Sequence, residues 1–446
     1  MSEQPRFPRR TFLAASTAAA AGLGLAGVGC GDATAQLPSS PEDLRRRLDT
    51  WRQVRAEFLL ESRPTHFDSF LLASHPATVR AAIARHRSAL DRDPDGYVRR
   101  QQSRLEERMA DAASAYLGTR AVELAFTDST TMGLGLVYGG LRLAPGDEIL
   151  TTEHDFYATH EAIRLRSLRL QTPTRRIRLY DDPERASVDS IIRAIRGGIS
   201  QSTRVLALTW VHSSSGVKLP LARVGELLAG INRGRPESRR VLLIVDGVHG
   251  LGNQPEDLPA LGCDVFVSGC HKWLFGPRGT GIVWISDRAA PLLEPIIPTF
   301  DPRAYRAWLQ GVLPTDLPKA AALTPGGFHS FEHRWALAEA FMFHRAVGKR
   351  RVSDRTRVLA TQLKDGLARL PQIRLRTPRS GELSAGLVCF EHRSLTPRNV
   401  VDALGRRQIV ATLTPYATQY VRLGPGILNS PADVDRALRA IRALRA

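Results

Sequence analysis

Lysine is scarce in this 446-residue chain: five of its 62 Lys and Arg residues are lysines, and all the others are arginines. Cysteine is scarce as well, with four residues in total. Cys30 lies near the N-terminus, whereas Cys263, Cys270 and Cys389 fall in or beside apolar stretches. The sequence therefore predicts no disulfide framework. It contains no His/Cys cluster with metal-ligand spacing and no internal repeat, so we predict neither a metal site nor a repeat architecture.

Acidic residues are too few to balance the basic ones, and the formal net charge is +18. A nucleic-acid-binding protein would cluster its basic residues together with exposed aromatic side chains. Here the arginines are spread along predicted helices, for example at 45–47 and 436–442. The composition therefore predicts no nucleic-acid partner, although the positive field would attract anionic small molecules.

The N-terminal 35 residues read as a targeting segment. Residues 9–13, Arg-Arg-Thr-Phe-Leu, resemble a twin-arginine export motif, and residues 14–28 form an apolar stretch rich in Ala and Gly. That stretch is too short and too rich in small residues for a stable membrane span. We expect export to the periplasm or medium, with cleavage after Ala35. The alternatives are lipidation at Cys30 and a cytoplasmic protein with a disordered tail.

Alternating strand and helix patterns dominate the chain after this leader. A helical segment at 36–64 precedes a large domain at 65–334, and a smaller α/β domain follows at 335–446, beginning with a helix at 335–347. Short apolar runs in the large domain predict strands at 122–126, 148–151, 205–209, 241–245, 265–268 and 281–285. This pattern predicts an α/β fold with a mostly parallel sheet and helices on both faces.

Two of the predicted strands end in groups suited to covalent cofactor chemistry. One strand ends at Asp246, with His249 three residues later, and a second strand is followed by His271 and Lys272. Ligand-binding groups in α/β proteins lie at the carboxyl ends of the strands. Lysine loses its proton when desolvated and then forms Schiff bases, whereas arginine stays protonated. The rare lysine at this position therefore indicates a specific chemical role.

The paired motif, strand-Asp-x-x-His followed by strand-His-Lys, resembles the class V aminotransferase family of fold type I. That family includes cysteine desulfurases, isopenicillin N epimerase-like proteins and lyases. The resemblance implies pyridoxal 5'-phosphate as the cofactor, bound covalently to Lys272, which also acts as the general base. It implies that Asp246 keeps the pyridine nitrogen protonated, so that the ring accepts the charge of the substrate carbanion. It also places His249 and His271 beside the cofactor.

The resemblance assigns further binding roles. Thr130 and Thr131, at the start of a predicted helix, would bind the cofactor phosphate. His154, or Phe156 as second choice, would stack on the pyridine ring. One of the three consecutive residues at 212–214 would contact the ring hydroxyl: His212, Ser213 or Ser214, and we assign Ser213. Arg422, in a stretch that resembles the family's Arg-x-Ser motif, would hold the substrate α-carboxylate through a bidentate contact.

Two departures from the family pattern affect the prediction. Desulfurases carry a nucleophilic cysteine on a loop that corresponds to 300–335, and this region has none. We therefore expect an enzyme that is not a cysteine desulfurase. In the family a Gly-Thr pair reaches the phosphate of the neighbouring subunit of a homodimer, whereas Phe328 stands at the Thr position here. Either Ser330 replaces that contact or the contact is lost.

The resemblance implies an enzyme that acts at the Cα of an amino acid or an amino-acid derivative. Epimerisation, transamination and β-elimination all begin with loss of the same Cα proton. The 212–216 segment and the missing loop cysteine look most like the isopenicillin N epimerase-like branch. A C–S lyase or another β-elimination lyase is the alternative enzyme. A non-catalytic protein that binds a ligand in the same fold is the non-enzymatic alternative.

Overall fold

The computed structural model describes residues 41–445. The predicted leader, including Arg9, Arg10, Cys30 and Ala35, lies outside the described residues. Within 41–445 no helix combines the length and the apolar character needed to cross a membrane.

The described chain contains strands in three sheets. In chain order they are β1 (Thr65–His66), β2 (Leu124–Thr127), β3 (Glu148–Thr152), β4 (Thr174–Ile177), β5 (Thr203–Thr209), β6 (Leu242–Asp246), β7 (Val265–Gly269), β8 (Gly281–Ile285), β9 (Ile373–Leu375), β10 (Val388–His392), β11 (Ile409–Val410), β12 (Thr412–Leu413) and β13 (Val421–Leu423). The six strands predicted in the large domain all occur, each within two residues of the predicted bounds at either end.

The central sheet has seven strands in the order β2-β8-β7-β6-β5-β3-β4. Strands β3 to β7 run parallel to one another, whereas β8 runs antiparallel to both of its neighbours, β2 and β7. Every residue of β5, β6 and β7 is buried. Continuous aliphatic runs suit strands that are covered on both faces, and the predicted mostly parallel sheet is therefore confirmed.

The edge strand β4 escaped the sequence analysis because its sequence, Thr-Arg-Arg-Ile, contains no apolar run. Its residues alternate between exposed and half-buried positions. Arg175 on β4 donates at 2.9 Å and 3.0 Å to the Glu148 carboxylate on β3. Charged side chains on an edge strand protect it from pairing with another chain.

A second sheet of four antiparallel strands, ordered β12-β13-β10-β9, forms near the C-terminus. Arg422 lies on β13, opposite Cys389 on β10. The two-stranded parallel pair of β1 with β11 connects Thr65–His66 to the C-terminal segment. The segment that follows the first two helices therefore packs against the C-terminal part of the chain.

The helices surround these sheets. They are α1 (Pro41–Arg47), α2 (Trp51–Ala56), α3 (Ala77–Arg92), α4 (Pro94–Leu117), α5 (Thr130–Gly140), α6 (Tyr157–Leu170), α7 (Val188–Gly198), α8 (Leu221–Arg233), α9 (Pro302–Leu309), α10 (Lys319–Leu323), α11 (Phe331–Val347), α12 (Lys349–Ala368), α13 (Pro397–Gly405) and α14 (Pro431–Arg442). The long helix α11 packs against α3 and α4. The predicted boundary at 334/335 falls inside α11, and the division into two domains stays a prediction.

His344 on α11 is a buried histidine among aromatic rings. It is fully inaccessible to solvent, and its ring lies 5.8 Å from Phe275 and 5.9 Å from Tyr116. Neither ring nitrogen makes a hydrogen bond of good geometry within the described part of the chain, although the backbone of Trp273 lies close enough to favour the charged form. Burial lowers the pKa of His344 to about 3.

This burial predicts sensitivity to acid. The unfolded chain binds a proton at His344 near pH 6.5, whereas the folded chain does so only near pH 3. The stability that the folded protein gains from burying a neutral His344 is therefore complete above pH 6.5, and it is lost as the pH falls. One pH unit below 6.5, the loss from this residue is about 1.4 kcal/mol. Denaturant unfolding of His344→Leu at pH 7.5 and 5.5 should show a smaller pH effect than the wild type, and an equal effect would contradict this account.

Candidate active site

The predicted site residues converge at the carboxyl edge of the central sheet. Asp246 ends β6, and Lys272 follows the end of β7 by three residues. His154 follows β3, and Ser213 follows β5. This arrangement follows from the parallel strands, because all their carboxyl ends meet at one edge.

Asp246 is buried and incompletely hydrogen-bonded. Its Oδ1 accepts a hydrogen bond from the Val248 backbone N–H at 3.1 Å, whereas Oδ2 has no hydrogen-bond partner among residues 41–445. Burial raises the pKa of Asp246 to about 6, although the Val248 N–H, Lys272 and the nearby Thr159 hydroxyl all lower it. A buried acceptor without a donor is costly, and the N–H of a protonated pyridine ring is the kind of group that would satisfy Oδ2.

Lys272 contacts His249 across the end of the sheet. The Lys272 Nζ lies 3.3 Å from His249 Nε2, and the Trp273 indole N–H donates to His249 Nδ1 at 3.3 Å. An indole N–H is only a donor, so Nδ1 is the acceptor and a neutral His249 carries its proton on Nε2. That proton points to the lone pair of an uncharged Lys272 amine.

The electrostatics of this pair favour the same state. Burial lowers the pKa of Lys272 to about 8; Asp246 opposes this shift, and Arg422 adds to it. Burial also lowers the pKa of His249 well below its usual range. A lysine amine with a pKa of about 8 is half neutral at pH 8, and its neutral form can act as a nucleophile and as a base.

The predicted phosphate site lies at the N-terminus of α5. Ser129 is the N-cap, and its hydroxyl accepts a hydrogen bond from the Met132 N–H at 3.1 Å. Thr130 is buried, and its hydroxyl accepts from the Gly269 N–H at 2.7 Å, which links α5 to β7. Thr131 is exposed. The first turn of a helix presents free N–H groups that bind anions, and the role of both threonines in phosphate binding remains a prediction.

Arg422 is a buried cation without an acidic partner in the part of the chain that the structure describes. Its Nε donates to the Thr412 hydroxyl at 3.1 Å, and its Nη1 donates to the Ser213 carbonyl at 3.0 Å. The guanidinium carbon lies 4.6 Å from the centre of the Phe70 ring. Burial lowers the pKa of Arg422. A buried guanidinium held in this way fits a carboxylate ligand.

The residues at 212–214 have different partners. His212 is buried and its Nδ1 lies 2.7 Å from the Tyr180 hydroxyl. The Ser213 hydroxyl lies 2.8 Å from the Tyr416 hydroxyl, and Ser214 is half-buried. Ser213 thus connects the end of β5 to the segment that precedes Arg422. This position suits a contact with the ring hydroxyl of the cofactor, and that assignment remains a prediction.

His154 and Phe156 lie in the short segment between β3 and α6. His154 Nε2 accepts a hydrogen bond from the Leu179 N–H at 3.2 Å, and its ring stacks on Tyr180. Phe156 is the residue before α6 and makes an edge contact with Tyr416 at 6.1 Å between ring centres. His271 is half-buried beside Lys272, and burial lowers its pKa to about 4. All three therefore remain candidates for cofactor contacts.

Several residues of this region had no distinguishing sequence signal. Phe70 lies beneath Arg422 and also contacts Trp273 and His249. The buried carboxylate of Asp155 accepts hydrogen bonds from the Thr209 N–H and from the Thr152 N–H, which fixes the ends of β5 and β3 together. Phe70 is an ordinary aromatic residue in a segment without a motif. Asp155 lies between His154 and Phe156, which the sequence had placed at the pyridine ring, and this was the available signal.

These features together fit pyridoxal phosphate. Within the described residues a buried carboxylate oxygen lacks a donor, and the pKa of an amine close enough to interact with it is lowered. The N-terminus of α5 is hydrogen-bonded to the strand that precedes this amine, and a buried guanidinium has no acidic partner. The fold and the site define a pyridoxal-phosphate-dependent enzyme that acts on amino-acid substrates. The model of the family described as "Aminotransferase class-V" matches residues 97–414, well over half of the chain. The chain belongs to this family, as the sequence motif predicted.

The similar proteins are named for two different activities. Isopenicillin N epimerase from Amycolatopsis lactamdurans is 26% identical over 422 residues, which cover 88% of this chain and 98% of the relative. A cysteine desulfurase from Klebsiella pneumoniae is 24% identical over 426 residues, with the same two coverages.

Solved structures share the fold. A C-DES mutant with glycine covalently linked to its PLP cofactor superposes with a TM-score of 0.79 at 19% identity, covering 88% of this chain and 99% of that one. The Escherichia coli cysteine desulfurase CsdA gives a TM-score of 0.73 at 20% identity, covering 88% and 97%. These similarities confirm the predicted fold type I architecture.

The exclusion of cysteine desulfurases was wrong. A relative with this name matches along 98% of its length, so the family comparison includes it on the same terms as the epimerases. The exclusion rested on the lack of a cysteine in 300–335, and one missing side chain in a loop is weak ground because loops vary most within a family. Cys263, Cys270 and Cys389 are free and buried in the structure.

Proposed function

We propose that this enzyme binds a free amino acid through Arg422 and removes its Cα proton with Lys272. The proposal rests on two buried polar groups at the carboxyl ends of the central strands, each of which lacks a partner of the expected kind in the described residues. The Arg422 guanidinium lacks an acidic partner in the described residues, and the Asp246 Oδ2 lacks a donor. One suits a substrate carboxylate and the other a protonated pyridine nitrogen.

The side chains of the site would divide the work as follows. Arg422 orients the substrate through its α-carboxylate, and Phe70 shields that ion pair from water. The Lys272 amine, whose neutral form is favoured by burial and by the His249 Nε2–H, first holds the cofactor and then takes the Cα proton. Bound pyridoxal phosphate supplies an electron sink for the charge left on the Cα. Asp246 makes that sink effective by keeping the pyridine nitrogen protonated.

Hydrogen exchange tests this common step without assuming a product. The purified enzyme with pyridoxal phosphate is incubated in D₂O with a panel of amino acids, and Cα–H exchange is followed by NMR. Exchange on at least one amino acid, absent from an Arg422→Ala variant, supports the proposal. A panel without exchange, on protein that binds the cofactor, refutes it.

The reaction that follows proton removal is proposed to be epimerisation. This is supported by the isopenicillin N epimerases, which match over 98% of their length. Cleavage of a C–S bond is the second candidate, supported by the cysteine desulfurase that also matches over 98% of its length. Chiral chromatography of the exchanged substrates reports the first, and release of sulfide or pyruvate from cysteine and cystine reports the second.

Arg422→Lys should raise KM far more than it lowers kcat. A lysine keeps the charge but loses the planar two-point contact with a carboxylate. Hydrogen bonds to charged groups contribute about 1.5–3 kcal/mol, so KM should rise about 10- to 100-fold. Arg376→Lys is the matched control, because the Arg376 guanidinium already pairs with Glu391 at 2.6 Å. Equal effects of the two substitutions would contradict the role of Arg422.

We also propose that the enzyme is a homodimer. Large apolar side chains are exposed along 296–313, and Phe328 is 91% exposed. They are Ile296, Ile297, Phe300, Tyr305, Trp308, Leu309, Val312 and Leu313. Exposed apolar surface of this kind marks interaction sites. Sedimentation at micromolar concentration tests the proposal, and a concentration-independent monomer would refute it. Whether Ser330 replaces the family's contact across subunits remains a prediction.

Export by the twin-arginine route is proposed on the sequence of residues 9–13 and the weakly apolar stretch after them. This route carries folded proteins, which suits an enzyme that must load its cofactor in the cytoplasm. Replacing both Arg9 and Arg10 by Lys should leave a cofactor-loaded precursor in the cytoplasm, as judged by fractionation and immunodetection. Efficient export of the double variant would contradict the proposal. Processing that survives Cys30→Ala favours cleavage after Ala35.

A further inference from the structure

Two nearly parallel rings, a half-buried His154 and a buried Tyr180, lie beside the proposed cofactor site. The centres of the His154 and Tyr180 rings are 3.9 Å apart, and the ring planes are inclined by 13°. Tyr180 is buried and follows β4 by three residues. One face of His154, the residue predicted to stack on the cofactor, thus rests on a second aromatic ring.

The Tyr180 hydroxyl is held from the turn that follows β5. It lies 2.7 Å from His212 Nδ1 and 3.1 Å from the Ser215 hydroxyl. The turn itself is closed by the Gly216 N–H, which donates to the His212 carbonyl at 2.7 Å. Two anchors from a closed turn leave the phenol ring little freedom to tilt, because a hydrogen-bonded hydroxyl fixes the far end of the ring.

His154 is also fixed at its edge. The Leu179 N–H donates to His154 Nε2, so the neutral ring carries its proton on Nδ1. Burial, together with a smaller effect of His212, lowers the pKa of His154 to about 3. Burial likewise lowers the pKa of His212 to about 3. Both imidazoles therefore stay neutral at physiological pH, which avoids repulsion with a cationic pyridine ring.

We propose that Tyr180 is a positioning residue that holds the His154 ring parallel to the cofactor, with His212 and Ser215 anchoring the Tyr180 hydroxyl. The inference rests on the proposed function, since it takes His154 to contact the pyridine ring. It goes beyond that function because it assigns a role to a residue outside the catalytic motif.

The test separates the phenol ring from its hydroxyl. Tyr180→Leu removes the ring, Tyr180→Phe keeps the ring and removes the hydroxyl, and Tyr157→Leu removes an exposed tyrosine ring as the control. Binding of pyridoxal phosphate is measured by tryptophan fluorescence in a Lys272→Ala background, where no covalent link forms. Aromatic stacking predicts a Kd about tenfold weaker for Tyr180→Leu. Tyr180→Phe should stay within about threefold of the parent, and the control should not change.

A second readout distinguishes positioning from simple support of the fold. With Lys272 intact and the cofactor saturating, visible circular dichroism reports the orientation of the bound ring. It should change in Tyr180→Leu and be largely restored in Tyr180→Phe. If Tyr180→Leu does not fold, Tyr180→Met, which also lacks the ring, takes its place.

The outcomes separate this inference from the proposed function. If the Lys272-containing enzyme binds no pyridoxal phosphate, both are refuted. If it binds the cofactor but the Tyr180→Leu Kd and dichroism match those of Tyr157→Leu, only the positioning role is refuted. A loss confined to thermal stability, with an unchanged Kd and dichroism, also overturns it.

Discussion

Lys272→Ala is expected to lower turnover by at least about 1,000-fold while the protein remains folded. The substitution removes the amine that attaches the cofactor and takes the Cα proton, and general base catalysis alone contributes about 10²- to 10⁴-fold. Lys272 is half-buried, and its amine has only a long contact with His249 at 3.3 Å. The cost to stability should therefore be small. Turnover is measured on the amino acid that exchanges its Cα proton fastest.

Lys364 provides a matched control for this substitution. Burial lowers its pKa to about 8, as it does for Lys272. Lys364 donates to the Ser384 hydroxyl at 2.6 Å and to the carbonyls of Pro378 and Arg379, so its role in the structure is one of packing. Lys364→Met should lower thermal stability and leave the turnover of the folded fraction unchanged. Loss of turnover in both variants to the same extent would contradict a special role for Lys272.

Asp246→Asn is expected to lower kcat by about 100- to 1,000-fold while the variant still binds pyridoxal phosphate. The amide oxygen can still accept the hydrogen bond from the Val248 N–H. A neutral amide cannot keep the pyridine nitrogen protonated, and loss of one preorganised electrostatic contact costs about 3–4 kcal/mol in the transition state. Steady-state kinetics at saturating cofactor measure the effect.

Asp264→Asn tests whether any buried carboxylate on these strands would give the same result. Asp264 is buried at the start of β7, accepts a hydrogen bond from the Leu243 N–H at 2.8 Å, and pairs with Arg288. Asp264 therefore lies at the amino ends of the parallel strands, whereas the site lies at their carboxyl ends. Its loss should affect stability and not kcat. Near-normal kcat in Asp246→Asn would show that another group faces the pyridine nitrogen.

The sequence predicted the parts of this protein that depend on local pattern. Aliphatic runs marked the buried strands, and polar residues at their ends marked Asp246, Lys272 and Ser213 because parallel strands place all their carboxyl ends at one edge. Arg422 was predicted through its motif, and in the structure it is buried without an acidic partner in the described chain. Its role in binding the substrate carboxylate stays a prediction.

Other features depend on contacts between distant segments and left no local signal. The Tyr180 hydroxyl meets His212 and Ser215 only because β4 and β5 lie on either side of β3 in the sheet. Tyr416 lies 203 residues from Ser213 in the sequence, and their hydroxyls are 2.8 Å apart. Strand β4 was missed because a charged edge strand has no apolar run. The exclusion of desulfurases failed for a different reason. It used the lack of a cysteine in one loop to exclude a whole branch of the family.

Borohydride trapping tests the central claim most directly. The purified enzyme is loaded with pyridoxal phosphate, reduced with sodium borohydride, digested and analysed by mass spectrometry. The account predicts one phosphopyridoxyl group per chain, on the peptide that contains Lys272, and none on Lys364 despite the similarly lowered pKa of its amine. Stable attachment to any other lysine, or an absence of attachment to Lys272 in folded protein, would contradict it.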